Sequence, residues 1–584
     1  MQTSTAHPWV GLRKRAALGA VAVAGLGTVA TVPVVTGHAV TLSAPAFTHI
    51  TVDPALAGGE PLVTYSNTSA GADLAYTSHE GTTHLFKDGI VSPDPTNDNI
   101  CSVPQVPPQT TPEGYACSYT NQVNVWTSTD QGATWTRTTV GPNAVGPTSP
   151  FGLGFSDPDW TIDQGGFLYN TGIDLANDSV FASSDGGRSF PIGNNNCHSG
   201  DRPWLAGGAS GEVFLATDTT VDPNTNLSSG HEIFHGVITG VSPAQTLVCS
   251  GIGGQPDPTG TGSTGIMDFG NWPGPTGTGS YSASGKLFYD HNALGHGYHG
   301  ALIDPAFFSD PGGHTSGVGI SVLKNAAAAF TNGTTTFTQQ FEVPENVSVF
   351  AHWPSIAIDS NDVVYLVYDT SDGGSNALNN AIHLSTIDLK AASPAFTPPI
   401  VIHPISGVSA FWPWVTVGNT GNVSVVWYQY DGVVNPDQTL TGNVSLFEES
   451  LFGVGSGTVT KFGPIDAVGA AIHSGGTCQS GTTCVATGQD RRLGDFFTNA
   501  VDQNGCVMIA TGTTTTATGG NPNGAVSRPI FIQQTSGTSL TGKQCAAPLA
   551  RTPEVPWTPL LLIGGGAAGA ILLLRRRRSP HLTA

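Results

Sequence analysis

The chain has 584 residues, 41 aspartates and glutamates against 20 lysines and arginines, and a formal net charge of −21 at pH 7. Such a surface repels nucleic acid and anionic lipid, which excludes a nucleic-acid partner and leaves cations, neutral glycans and basic proteins. The 76 glycines and 41 prolines fit a loop-rich β protein better than a helical one, while tryptophans and β-branched runs along the chain argue against disorder.

Arg13, Lys14 and Arg15 precede an apolar segment from Ala16 to Val35, and Gly37-His38-Ala39 offers the small residues a signal peptidase reads. Residues 1–39 are therefore expected to be an export signal. From residue 40 onward, strands alternating by twos recur between glycine and asparagine turns, a period that excludes a helical solenoid. The units are PLVTYSNTSAGADLAYTS from Pro61, DPDWTIDQGGFLYNTG from Asp157, DRPWLAGGASGEVFLATD from Asp201, GTGSYSASGKLFYD from Gly277, HWPSIAIDSNDVVYLVYD from His352, FWPWVTVGNTGNVSVVWY from Phe411 and GDFFTNAVDQNGCVMIA from Gly494. They predict an all-β fold, a single β-propeller over residues 40–545 with seven blades preferred and six the close alternative; tandem sandwiches are the runner-up. Segments 90–116, 250–280 and 470–490, rich in Gly, Pro, Ser or Thr, read as insertions between strands.

Two turns carry the most specific pattern: STDQGATW at 128–135 and SSDGGRSF at 183–190, each directly after an alternating apolar run. Asp130 and Asp185 can accept bonds from their own turns, and Gly132 and Gly187 can take a positive φ. Ser128 and Ser183 can close the start, while Trp135 and Phe190 plug the loop from beneath. The pair resembles the Asp box (BNR repeat) of sialidases and other repeat-containing propellers, with Ser189 in place of threonine and Phe190 in place of tryptophan. The resemblance implies outer hairpins away from the central mouth.

For an enzyme of that family, the resemblance also implies three arginines clamping a sugar carboxylate, a tyrosine paired with a glutamate as nucleophile, and an aspartate as acid/base. Arg188 lies in a turn, Arg137 just after one and Arg551 in the segment 546–554 that follows the repeats, so Arg202, Arg491, Arg492 and Arg528 are left for the clamp. Asp201 or Asp495 is the candidate acid, and Tyr428 or Tyr430 with Glu448 or Glu449 the candidate nucleophilic pair. Two departures stand out: Asp201-Arg202-Pro203 lacks the residue between arginine and proline of the family's Arg-x-Pro element, and the arginine expected in the first blade has no counterpart. Trp160, Trp204, Trp353, Trp412 and Trp414, at the lead-ins of the repeats, can pack between blades or stack on a sugar or peptide at the mouth.

HEIFH at 231–235 fits the H-E-x-x-H pattern of zinc proteases, which works only on a helix. On a strand, His231 and His235 lie roughly 13 Å apart, too far for one zinc. DHNALGHGYHG at 290–300 gathers Asp290, His291, His296 and His299 as candidate metal ligands, with solvated loop histidines as the alternative. DPTNDN at 94–99 and Asp157 to Asp159 are candidate calcium ligands without EF-hand spacing.

All eight cysteines, Cys101, Cys117, Cys197, Cys249, Cys478, Cys484, Cys506 and Cys545, lie between the two hydrophobic ends. An even number fits an oxidising compartment, with sequential pairing the simplest of many connectivities, and no C-x-x-C supports a redox or zinc-knuckle role. Residues 546–554 read as a short stalk. Val555 to Leu574 then gives 20 residues without a charge before Arg575 to Arg578. That length spans a bilayer, with the arginines and the tail 575–584 kept in the cytoplasm. The expectation is a single-pass cell-membrane protein, extracellular in bulk, that recognises an extracellular glycan or protein at its propeller mouth. A sialidase-like glycoside hydrolase and a non-catalytic structural surface protein are the alternatives.

Overall fold

The computed structural model describes most of residues 41–547, leaving out among others 93–122, 139–155, 219–230, 255–264, 269–279, 432–441, 478–489 and 516–526. The expected export signal, stalk, apolar run 555–574 and cytoplasmic tail lie outside the described residues. Among those described, no helix is long and apolar enough to cross a membrane.

Seven antiparallel sheets of four main strands follow one another along the chain, three of them with a short fifth strand. They are the blades of a seven-bladed propeller. The innermost strands are, in order, Gly59–Thr68, Ser156–Ile162, Asp201–Gly207, Ser280–Ser284, Ser355–Ile358, Ala410–Val417 and Thr498–Val501. Ala46–Thr51, first in sequence, pairs with Arg528–Ser536 and supplies the outer strand of the last blade.

The alternation seen in the sequence becomes packing between blades. Each sheet buries both faces, so its apolar residues meet those of the next sheet. Val180, Ala182 and Ile192 of the second blade pack with Val213 and Leu215 of the third. Tyr365, Val367 and Ile382 of the fifth do so with Val423, Val425 and Trp427 of the sixth. Met508, Ala510 and Phe531 of the last blade close on Val63, Tyr76 and Trp126 of the first.

The turns at 128–135 and 183–190 join the third and fourth strands of the first and second blades. Their bonding is the same. Asp130 Oδ1 accepts from Ser128 Oγ at 2.8 Å and Thr134 N at 2.9 Å, and Oδ2 from Thr134 Oγ1 at 2.6 Å. Asp185 does likewise with Ser183 and Ser189 at 2.7, 2.9 and 2.6 Å. Gly132 has φ +86°, and a Cβ there would stand 2.2 Å from the Phe531 ring of the last blade. Trp135 packs edge-on against that ring, 5.2 Å between centroids, and Phe190 is fully buried.

A second recurring device lies at the other end of the innermost strands. Asp163 accepts from Gly165 N, Phe167 N and Tyr169 Oη of its own blade and from Gly211 N of the next. Asp359 accepts from Asn361 N, Val363 N and Tyr365 Oη, and Tyr365 Oη in turn accepts from Gly421 N of the following blade. These carboxylates fix a hairpin and its neighbour together.

Cys197 pairs with Cys249, Cα atoms 5.2 Å apart, across the outer strands of the second and third blades. Cys506 pairs with Cys545 at 5.9 Å. Both agree with sequential pairing; Cys101, Cys117, Cys478 and Cys484 lie outside the described residues.

Candidate binding mouth

Each innermost strand begins on the same face of the ring, and five of them begin with a bulge. The ladder slips between Gly59 and Leu62, Ser156 and Asp159, Asp201 and Trp204, Tyr281 and Ala283, and Phe411 and Trp414. At four of these bulges a non-glycine residue directly before a proline takes a positive φ: Glu60 at 48°, Asp157 at 52°, Arg202 at 56° and Trp412 at 50°. Proline disfavours helical conformations in the residue before it, and a left-handed side chain costs about 1–3 kcal/mol. The repeated bulge re-aims these side chains, and Glu60, Asp157 and Arg202 meet around one narrow, partly open cleft with Trp204, Trp353, Asp495 and Phe496.

The carboxyls there hold different protonation states. Asp157 is pushed up to about 7 by burial first, then by the charges of Asp201 and Asp495, against the pull of Ser156 and Arg202. Glu60, 1% exposed, is raised well above the carboxylate range by burial and by Asp157 and Asp495, despite Arg491. Glu60 is hydrogen-bonded to Asp157, so the two behave as an acid pair sharing a proton. Burial would raise Asp495 as well, but Arg491 outweighs it and holds Asp495 low. Both guanidinium nitrogens of Arg491 reach that carboxylate, Nη2 to Oδ2 at 2.6 Å, and Nη2 lies 3.7 Å from Glu60 Oε1. Asp495 N also donates to Glu60 Oε1 at 3.1 Å.

Arg202 is the more open cation, its side chain 34% exposed. Its guanidinium lies 4.8 Å from the centroid of Trp353 and Nη1 3.5 Å from Asp218 Oδ2.

Of the residues nominated from sequence, Arg202 and Asp495 line the cavity and Arg491 braces it. Asp201 sits beside Arg202, accepting from its N–H at 3.0 Å. Arg492 is bound in a fork to Asp490, and Arg528 opens the third strand of the last blade. Tyr428 and Tyr430 lie on the second strand of the sixth blade, where Tyr428 Oη meets Thr511 and Tyr430 Oη meets Thr477. Glu448, raised to about 7 by burial, accepts from Ser424 and Ser450, while Glu449 pairs with Lys461 at 3.0 Å. These tyrosines and glutamates are not among the residues lining the cavity.

His231–Thr239 is a strand, and His235 bonds to Glu212 at 2.6 Å, away from His231. Asp290 is buried, and His291 packs at a tilt against Tyr289, ring centroids 5.0 Å apart; His296 and His299 lie outside the described residues. Sequence reasoning missed Glu60 altogether and took Asp157 only for a calcium ligand. The signal was present in the recurring X-Pro at the lead-ins: Glu60-Pro61, Asp157-Pro158, Arg202-Pro203, Trp353-Pro354 and Trp412-Pro413.

The chain matches no known protein-family profile and no curated protein. Among solved structures it is similar to the Dos1 propeller, at 10% identity over 84% of this chain and 95% of that one, TM-score 0.38. It is similar also to an α-L-arabinanase of Penicillium chrysogenum, at 13% identity over 70% and 97%, TM-score 0.34. A sialidase of Trypanosoma rangeli follows at 11% identity over 84% and 59%, TM-score 0.32. At these values the likeness assigns neither ligand nor chemistry to this chain.

Proposed function

We propose that the mouth binds a neutral glycan outside the cell, the propeller being held at the membrane by the apolar run at 555–574. The observation that carries this is the meeting of Glu60, Asp157 and Asp495 with Arg202, Trp204 and Trp353 around one cavity. Sugar hydroxyls can donate to an ionised carboxylate and accept from a protonated one or from the partly exposed Arg202 guanidinium. A sialic acid fits poorly, because Arg491 and Arg492 are already engaged by Asp495 and Asp490, leaving Arg202 to face an acidic surround. The test is calorimetric titration with a panel of neutral oligosaccharides. Saturable binding to the native chain that weakens at least about tenfold in a folded Arg202→Ala supports the reading; uniform absence of binding overturns it.

One observation favours a second reading, glycoside hydrolysis. Environments that push two carboxyls in opposite directions are how enzymes separate an acid from a base. Here the Asp157–Glu60 pair would donate the proton to the leaving oxygen, and ionised Asp495 would accept one from water or stabilise the cation. Release of reducing sugar by the native chain but not by Asp157→Asn would support it, while binding without turnover leaves recognition alone.

A further inference from the structure

Between the third and fourth blades, three side chains converge that the mouth does not use. His231 opens the third strand of the third blade. Asp268 directly follows the short strand Ile266–Met267 added to that sheet. Asp304 belongs to Leu302–Ser309 of the fourth blade. His231 Nδ1 lies 2.7 Å from Asp268 Oδ2 and 3.0 Å from Asp304 Oδ2. All three side chains are buried.

We propose that His231, Asp268 and Asp304 form a binding site for a divalent transition cation, manganese or zinc, that clamps the third blade to the fourth.

Three features support the assignment. The first is spacing. One ligand atom from each of the three side chains lies within 4.8 Å of the others, and ligands about 2.1 Å from an ion stand about 3.0 Å apart in an octahedral array and about 3.4 Å in a tetrahedral one, against 2.7 and 3.0 Å here. The second is charge. A divalent ion with a neutral imidazole and two carboxylates sums to zero, which suits a dry interface between blades. One Nδ1 proton also cannot point at both oxygens, while an ion serves all three atoms at once. The third is Asp304 itself. It is fully buried, and its Oδ1 has no hydrogen-bond partner, a cost of several kcal/mol for a carboxylate unless something positive compensates it. The donor set selects the ion: one nitrogen and carboxylate oxygens suit zinc or manganese, and imidazole argues against calcium.

The test uses the full chain, stripped with a chelator and then titrated with Mn²⁺ or Zn²⁺ alone, with calorimetry and elemental analysis as readouts. The native chain is expected to take up one tightly bound ion and to unfold at a higher temperature with it. Asp304→Asn, which keeps the shape and removes the charge, should weaken binding at least about tenfold, the loss that disturbing a metal's ligand sphere brings, and should abolish the thermal shift. A chain carrying His291→Ala, His296→Ala and His299→Ala should keep the ion. No stoichiometric binding to the native chain overturns the proposal, as does undiminished affinity in a folded Asp304→Asn or loss of the ion in the triple variant.

Discussion

The guanidinium of Arg202 rests on the indole of Trp353, its carbon 4.8 Å from the ring centroid, so a cation from the third blade lies on an aromatic ring at the lead-in of the fifth. The contact spans the mouth and orients both side chains before any ligand arrives. Arg202→Ala is expected to cost about 0.5–2 kcal/mol. Trp353→Ala should cost more, about 3–5 kcal/mol, because a buried indole leaves a cavity behind. Denaturant unfolding of both variants checks the order, and equal losses would contradict it.

Arg491 is the counterion of Asp495 and lies near Glu60. Its removal strands one ionised carboxylate beside a proton-sharing pair, all in a buried site. Arg491→Ala should destabilise the propeller by about 3–5 kcal/mol, as breaking a buried pair does. Arg491→Ala combined with Asp495→Asn should recover part of that loss; a double variant no better than the single would show that the pair is not coupled.

The mouth also sets a pH dependence. Asp157 titrates near 3.8 when unfolded and at about 7 in the fold. Between these values the folded chain holds a proton that the unfolded chain has released, so the contribution of Asp157 to stability falls as pH rises from about 4 to 7 and is lost above. Asp157→Asn should flatten that decline in melting temperature. Glu448→Gln should flatten it too, since burial raises Glu448 to about 7, but without touching ligand binding. An unchanged slope in Asp157→Asn would place the proton elsewhere.

Asp130 and Asp185 each accept three hydrogen bonds inside their turns. Replacing either with alanine leaves those donors short of a partner, and a loss of about 1–3 kcal/mol is expected. Glycan affinity measured well below the melting temperature should stay as it was. Selective loss of binding in a stable variant would tie these turns to the mouth.

The blades were legible because their signal is local. Alternation by twos, glycine turns and the serine–aspartate pattern at 128 and 183 each depend on fewer than about ten neighbouring residues. The mouth was not, because Glu60, Asp157, Arg202, Trp353 and Asp495 come from five blades and meet only after the ring closes. Tyr428 and Tyr430 illustrate the difficulty. Their alternation places them on a strand, but only the sheet order shows that the strand is second in its blade and so set back from the axis, and only the register shows that Glu448 stands opposite Val426 and not opposite either tyrosine. Arg491 and Arg492 are likewise neighbours in sequence just before the last innermost strand, yet the first reaches the mouth carboxylates and the second is forked onto Asp490.

Thr535 Oγ1 bonds to the carbonyl of Ala46 across 489 residues of sequence. A ribosome therefore makes the outer strand of the last blade long before the strand it pairs with. Until Arg528–Ser536 has been synthesised, every partial chain is an open arc whose first and last sheets each leave an apolar face uncovered, such as Val63, Tyr76 and Trp126 of the first blade, the kind of patch that recruits other chains. Closure is then a single late event on which the whole ring depends, and premature termination anywhere before Arg528 yields an arc exposed to aggregation in place of a smaller stable propeller.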